Sequence, residues 1–145
     1  MPNLTAPRDT RCRGEIKFFN NLSLYAGKCF AGGVAGISSA GVVGPVSSTY
    51  SKAIGVFAET KDNSGGSAGD LKVNVMRGEF FFNNDATNAL TAAHLCGLLA
   101  AVEWSDDNTA ANASDTGTEA GGILTEIVAA DTVHGDAAGV WIEFP

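Results

Sequence analysis

Residues 77–144 read RGEFFFNNDATNALTAAHLCGLLAAVEWSDDNTAANASDTGTEAGGILTEIVAADTVHGDAAGVWIEF, and this stretch decides the fold class. Short runs of β-branched and aromatic residues alternate in it with polar, turn-forming stretches. One brief helix signal interrupts them, with Thr91 as N-cap and Gly97 as C-cap of one to two turns. Strands spaced at roughly 8–12 residues are typical of a sandwich or barrel. We therefore predict an all-β fold, a compact antiparallel β-barrel or sandwich with one short helix and an extended N-terminal arm.

The clearest alternation of apolar and polar residues lies just before this stretch, in Leu71–Arg77, and predicts a strand with one apolar face. Glu79–Phe82 is predicted as the next strand. Three consecutive side chains of a strand cannot share one face. Phe80, Phe81 and Phe82 therefore require either a core on both sides of the strand or a subunit interface, and both alternatives stay open.

Other strands and turns follow from the same kind of pattern. Strands are predicted over Lys52–Glu59, Ile123–Val128 and Gly139–Phe144, with two or three more within residues 27–50. Polar connections are predicted at 60–70, at the acidic turn 105–108, which we expect to be solvated, and at 131–138. In the last strand, Val140, Ile142 and Phe144 are expected on one face and Trp141 on the other.

The charge of the chain is divided unevenly along its length. Residues 1–28 hold five basic and two acidic residues, a net charge of +3, whereas the remainder holds four basic and fourteen acidic residues, a net charge of −10. We predict an N-terminal arm over residues 1–26 and a single β domain over residues 27–145. The acidic body would oppose nucleic acid, so a protein surface, that of a neighbouring copy included, is the favoured partner of the arm. The residues predicted to bind that partner are Arg8, Arg11, Arg13, Lys17, Phe18 and Phe19.

The sequence contains no recognisable constellation of reactive side chains. The two histidines, His94 and His134, have no nearby nucleophile or carboxylate pattern that would make a catalytic site. The acidic turn at Asp106 and Asp107 lacks the ligand spacing of an EF-hand. The glycines complete neither nucleotide-binding motif. We expect no enzymatic activity, no catalytic or metal-binding residues and no cofactor.

The cysteines bear on the compartment. Cys12, Cys29 and Cys96 are odd in number and widely spaced, which favours buried free thiols in a reducing compartment over zinc or disulfides. No secretory signal peptide or membrane-spanning apolar run is visible, so we expect no membrane partner.

Two segments of the chain resemble the capsid decoration, or cement, proteins of tailed bacteriophages. An A-x-G-V strand and a V-x-V-x-R-G strand flank a Gly/Asp loop, followed by an LT corner closed by glycine, a V-E-x-x-D-D-x-T-A turn and a G-V-W-I strand. The matching positions are Ala53, Gly55 and Val56; Val73, Val75, Arg77 and Gly78; Leu90, Thr91 and Gly97; Val102, Glu103, Asp106, Asp107, Thr109 and Ala110; and Gly139 to Ile142. The likeness spans residues 50–144, and the N-terminal arm has no counterpart in it.

The resemblance implies a structural protein of the virion that binds the outer surface of an assembled capsid and stabilises it by bridging neighbouring major capsid proteins. It implies the major capsid protein and copies of the same chain as partners, as a homotrimer or a dimer, and a location on the capsid exterior after assembly in the host cytoplasm. The alternative is a β-sandwich module that binds carbohydrate or a host surface, in which an exposed Trp104 or Trp141 would stack on sugar rings.

Overall fold

A computed structural model of the chain describes residues 3–97, 102–112, 120–129 and 138–145. The described residues contain eleven strands and one short 3-10 segment, Ala92–Gly97, which confirms the all-β class. The strands are β1 Cys12–Leu24, β2 Lys28–Cys29, β3 Val34–Ile37, β4 Val42–Pro45, β5 Lys52–Phe57, β6 Lys61–Asp62, β7 Lys72–Asn84, β8 Glu103–Asp106, β9 Thr109–Ala111, β10 Ile123–Val128 and β11 Gly139–Phe144.

One large sheet organises the chain, with the order β1-β4-β3-β5-β7-β11-β10. β1 also pairs antiparallel with β7, so β1, β4, β3, β5 and β7 close into a ring. β11 and β10 extend the sheet from the second half of β7, and β9 joins the end of β7 in parallel. β7 is therefore paired on both edges and lies at the centre of the fold.

Two clusters of buried side chains fill the interior. The smaller cluster includes Leu24, Val43, Phe57 and Val75, contributed by strands of the ring. The larger cluster consists of Val34, Val46, Ala53, Val56, Phe80, Phe82, Leu90, Val102, Trp104, Ala110, Leu124, Val140, Ile142 and Phe144. Edge-to-face packing of Phe82 on Trp104, with ring centroids 4.8 Å apart, joins β7 to β8 inside the larger cluster.

The three consecutive phenylalanines of β7 are buried within this one chain. Phe80 and Phe82 point into the larger cluster, while Phe81 points to the opposite face and packs edge-to-face on Trp141, with centroids 5.4 Å apart. All three side chains are buried. Of the two alternatives that the sequence left open, the structure has the two-sided core, and this corrects the subunit interface at Phe80, Phe81 and Phe82.

Most strands lie where the sequence pattern predicted them. β10 and β11 have the predicted bounds, and β5 ends two residues before the predicted Glu59. The two strands predicted on either side of Gly78 form one continuous strand, β7. The predicted helix is a 3-10 segment with a non-helical backbone at Leu95 and Cys96. His134 and residues 131–137 of the predicted turn lie outside the described residues.

The N-terminal region differs from the predicted arm over residues 1–26. Residues 12–24 form β1 and pair along β7, from Cys12 opposite Phe80 to Ser23 opposite Lys72. Bulges after Arg13 and after Phe19 interrupt the pairing. These irregularities hide the alternation that would identify a strand in the sequence. Residues 3–11, which we call the strap, precede β1 and lie against the body.

Close packing between β5 and β7 gives a first prediction. A Cβ atom at Gly55 would lie 2.2 Å from the carbonyl oxygen of Met76, whereas a Cβ atom at Gly65 would meet nothing within 4 Å. We expect Gly55→Ala to lower the free energy of unfolding by about 1–3 kcal/mol, because the neighbouring backbone must move. Gly65→Ala should change it by less than about 0.5 kcal/mol. Urea denaturation of both variants measures this, and equal stabilities would contradict the packing described.

Candidate functional site

The strap is fastened to the body by hydrogen bonds along its length. The amide of Arg8 donates to the carbonyl of Ala31 at 2.8 Å, and the hydroxyl of Thr10 donates to the carbonyl of Gly32 at 2.6 Å. A Cβ atom at Gly32 would lie 2.0 Å from the carbonyl oxygen of Arg8, so this close approach requires glycine. The strap is therefore a fitted part of the body surface.

The arginines of the N-terminal region cover the aromatic face of β7 and β11. The guanidinium of Arg11 lies 5.0 Å from the ring centroid of Phe81 and 5.6 Å from that of Trp141. The guanidinium of Arg13 lies 4.1 Å from the ring centroid of Trp141. At such distances a cation is attracted to the face of the ring. Arg11 and Arg13 thus shield an aromatic pair, Phe81 and Trp141, that would otherwise meet water.

Arg8 extends this cover to the end of β7. Its guanidinium donates to the carbonyl oxygens of Phe81 and Asn108, both at 3.3 Å, and lies 5.7 Å from the ring centroid of Phe82. Burial lowers the pKa of Arg8, while Asp107 and Asp106 raise it by their charge. Arg8 is therefore engaged within the chain.

Arg13 also joins three strands through ion pairs. Its Nε donates to Glu79 on β7, and its terminal nitrogen lies 3.0 Å from Glu126 on β10. The bond to Glu79 is the largest cause of the raised pKa of Arg13. The same bond, reinforced by one from Thr125, lowers the pKa of Glu79.

The turn between β8 and β9 holds two buried carboxyl groups. Asp106 is 3% exposed and Asp107 is 1% exposed. The amide of Leu4 donates to Asp107 Oδ1 at 2.8 Å, and the amide of Asp107 donates to Asn3 Oδ1 at 3.2 Å. The strap thus covers this turn, and the structure corrects the prediction that the turn is solvated.

Burial shifts the protonation of both acids. Loss of water raises the pKa of Asp107 to about 6, although the amide of Leu4 and the charge of Arg8 act in the opposite direction. Burial also raises the pKa of Asp106. The Oδ2 atom of Asp106 is buried and has no hydrogen-bond partner among the described residues. Within those residues, no group of three or more His, Cys, Asp and Glu side chains is arranged to hold a metal ion.

On β1, two residues of the predicted partner-binding set, Lys17 and Phe18, are exposed. Phe18 is 48% exposed, and Lys17 beside it is exposed as well. Phe19 is only partly exposed, because its ring packs against the smaller cluster, and the guanidinium of Arg77 lies 4.3 Å from its ring centroid. Among the described residues, β1 pairs with β7 along one edge, and its other edge pairs with β4 only at Ser23 and Leu24. Lys17 and Phe18 therefore lie on a strand whose second edge is largely unpaired within that part of the chain.

The remaining candidate residues take structural positions. Trp104 is 1% exposed and Trp141 is 6% exposed, so neither described tryptophan offers a ring face to a sugar. The ring of His94 lies 3.1 Å from the hydroxyl of Thr91. Among the thiols, which are all free, only Cys29 is buried.

The exposed thiols correct the expectation of three buried ones, since Cys12 and Cys96 are exposed. Burial raises the pKa of the Cys29 thiol.

Sequence reasoning also missed the buried acidic turn, because its cover is contributed by Asn3 and Leu4, about a hundred positions away along the chain.

Comparison with family models, with curated proteins and with solved structures finds no match to this chain. In the part of the chain that the structure describes, no helix has the length and apolarity needed to cross a membrane.

The ion pair of Arg13 and Glu79 gives a second prediction. A double-mutant cycle with Arg13→Met and Glu79→Gln should give a coupling free energy of about 1 kcal/mol at pH 7. Because the pKa of Glu79 is lowered by folding, this contribution is present above its ordinary value of 4.5 and is lost as the pH falls through the lowered value.

The pair of Lys61 and Glu59 is the matched control, since its nitrogen–oxygen distance of 3.4 Å is longer and both side chains are more than a third exposed. Its coupling should be about 0–0.5 kcal/mol. Thermal denaturation at pH 7 and pH 3 measures both cycles. A coupling for Arg13 and Glu79 that stays unchanged at pH 3 would contradict the assignment.

Proposed function

We propose that this chain is a structural protein of a tailed-phage virion, which binds the outer surface of an assembled capsid and stabilises it by bridging neighbouring major capsid proteins. The observation that supports contact with the capsid is the exposure of Phe18, about half of whose surface is accessible, beside Lys17 on β1, a strand whose second edge is largely unpaired among the described residues. A large aromatic side chain held on a strand offers contact area at low conformational cost. In this proposal the chain acts by covering neighbouring proteins and not by turning over a substrate.

The motif positions that carry the resemblance support a common architecture. Ala53, Val56, Val102 and Ala110 belong to the larger buried cluster, and so do Val140 and Ile142 of the closing strand. Such positions specify packing more directly than they specify a partner. The resemblance therefore supports the fold of the chain, and the identity of its partner must be tested by changing residues on the surface.

Of the partner-binding set predicted from the sequence, Phe19 packs against the smaller cluster, and the other five residues divide into two groups. Arg8, Arg11 and Arg13 each have partners inside the chain, so their replacement would disturb the body as well as any interface. Lys17 and Phe18 are exposed and can be changed with less risk to folding. We place the contact with the major capsid protein at these two residues.

The same proposal assigns the protein to the capsid exterior and, during assembly, to the host cytoplasm. It includes association with copies of the chain, as a homotrimer or a dimer. Binding of carbohydrate by tryptophan stacking has no support here, because Trp104 and Trp141 are both buried.

Replacement of the exposed aromatic gives the third prediction. Phe18→Ser should weaken cosedimentation of the purified protein with empty mature shells of the phage that encodes it by about tenfold or more, since truncating a central aromatic commonly costs over 1 kcal/mol. Ile127→Ser is the matched control, because Ile127 is also a partly exposed apolar residue but lies on β10.

The outcomes separate two failures. If the wild-type protein does not bind shells and leaves their heat resistance unchanged, the proposed function is wrong. If the wild type binds and Phe18→Ser binds equally well, the function stands and the contact surface is wrong. Deletion of residues 1–20 is a poor substitute, since it removes β1 except for its last four residues and so tests folding.

A further inference from the structure

We propose that the strap, residues 3–11, is a pH-dependent latch, which closes over Asp107 when that carboxyl group is protonated and loosens when it is ionised. The latch goes beyond the proposed function and does not depend on it. It rests on where the chain places this carboxyl group and on what covers it.

Asp107 is sealed between the strap and the body. Leu4 on the strap supplies an amide to its Oδ1 atom at 2.8 Å, and Asn3 accepts from its backbone amide at 3.2 Å. On the body side, a Cβ atom at Gly33 would lie 2.9 Å from Oδ2 and 3.1 Å from a methyl group of Leu4. Movement of the strap would therefore expose to water a carboxyl group that is now 1% exposed.

The groups that face Asp107 come from three places. Arg8 on the strap favours the ionised form by its charge, Asp106 on the same turn opposes it, and the hydroxyl of Tyr25, after β1, has its pKa raised in part by Asp107. Desolvation outweighs the help from Arg8 and Leu4, so the pKa in the closed state rises to about 6.

The direction of the linkage follows from this shift. An open strap returns Asp107 to water and to its ordinary pKa of 3.8, so between these two values the closed state binds more protons than the open state. Ionisation of Asp107 therefore does not weaken closure of the strap below pH 3.8. It weakens closure progressively between pH 3.8 and pH 6, and to its full extent above pH 6. A difference of about two pH units corresponds to a change of about 100-fold in the closing equilibrium.

Amide hydrogen exchange followed by NMR across pH 4 to 8 tests the latch. The reporter is the amide of Arg8, which donates to Ala31, and the control is the amide of Phe57, which donates to Gly33 within the body. Exchange rates are converted to protection factors, which removes the intrinsic effect of pH. We expect the protection factor of Arg8 to fall by up to about 100-fold between about pH 4 and pH 6 and to stay level above pH 6, while that of Phe57 stays constant.

Three variants separate the latch from general stability. Asp107→Asn should remove the fall in protection between about pH 4 and pH 6 and keep the strap protected at neutral pH, whereas Asp62→Asn, at an exposed carboxylate, should leave this fall unchanged. Asn3→Ala removes the acceptor for the amide of Asp107 and should lower the protection of Arg8 at every pH without moving the pH range of the fall.

Two results would overturn the proposal. One is a protection factor of Arg8 that does not change with pH, or that changes in step with that of Phe57. The other is a titration of the chemical shift of the Asp107 carboxyl carbon, in the wild-type protein, whose midpoint lies at or below pH 4. The second measurement needs no variant, so it decides the question even if Asp107→Asn fails to fold.

Discussion

Three consecutive phenylalanines on β7 impose the constraint on which the rest of the structure depends. A strand that carries Phe80, Phe81 and Phe82 must have apolar cover on both faces, and β7 is also paired on both edges. The larger cluster covers one face. The other face, on the side of Phe81, is covered by Trp141 and the guanidinium groups of the N-terminal region.

This manner of covering explains the uneven charge of the chain. Arginine can lie flat on an aromatic ring while its donors reach carbonyl and carboxylate oxygens, so it shields apolar surface and remains compatible with water. Arg8 and Arg13 make both kinds of contact. The basic segment thus complements the acidic body of its own chain, and its charge alone does not require a separate partner. The strap that completes the cover also buries Asp107, which makes the fastening of the strap depend on protonation.

Features of the fold that neighbouring residues determine could be predicted from the sequence, whereas features that depend on residues far apart in the chain could not. β5, β10 and β11 follow from local alternation, and their predicted bounds agree with the structure to within two residues. For the residues of β1 the sequence predicts part of an arm, because the bulges of this strand break the alternation. The burial of Asp107 could not be predicted locally, because acidic residues in a turn are usually exposed and the cover comes from Leu4.

The division between buried motifs and exposed residues decides what kind of evidence can establish function. The motif positions behind the resemblance to decoration proteins lie largely in the core, where side-chain choice is governed by packing, so they bear more directly on the fold than on a function. Phe18 and Lys17 lie outside the matched segments and are exposed, and burial of Phe18 at an interface would remove the energetic cost of leaving that ring in water. Experiments that seek the partner of this chain should therefore target Phe18 and Lys17, which lie outside the segments that carry the resemblance.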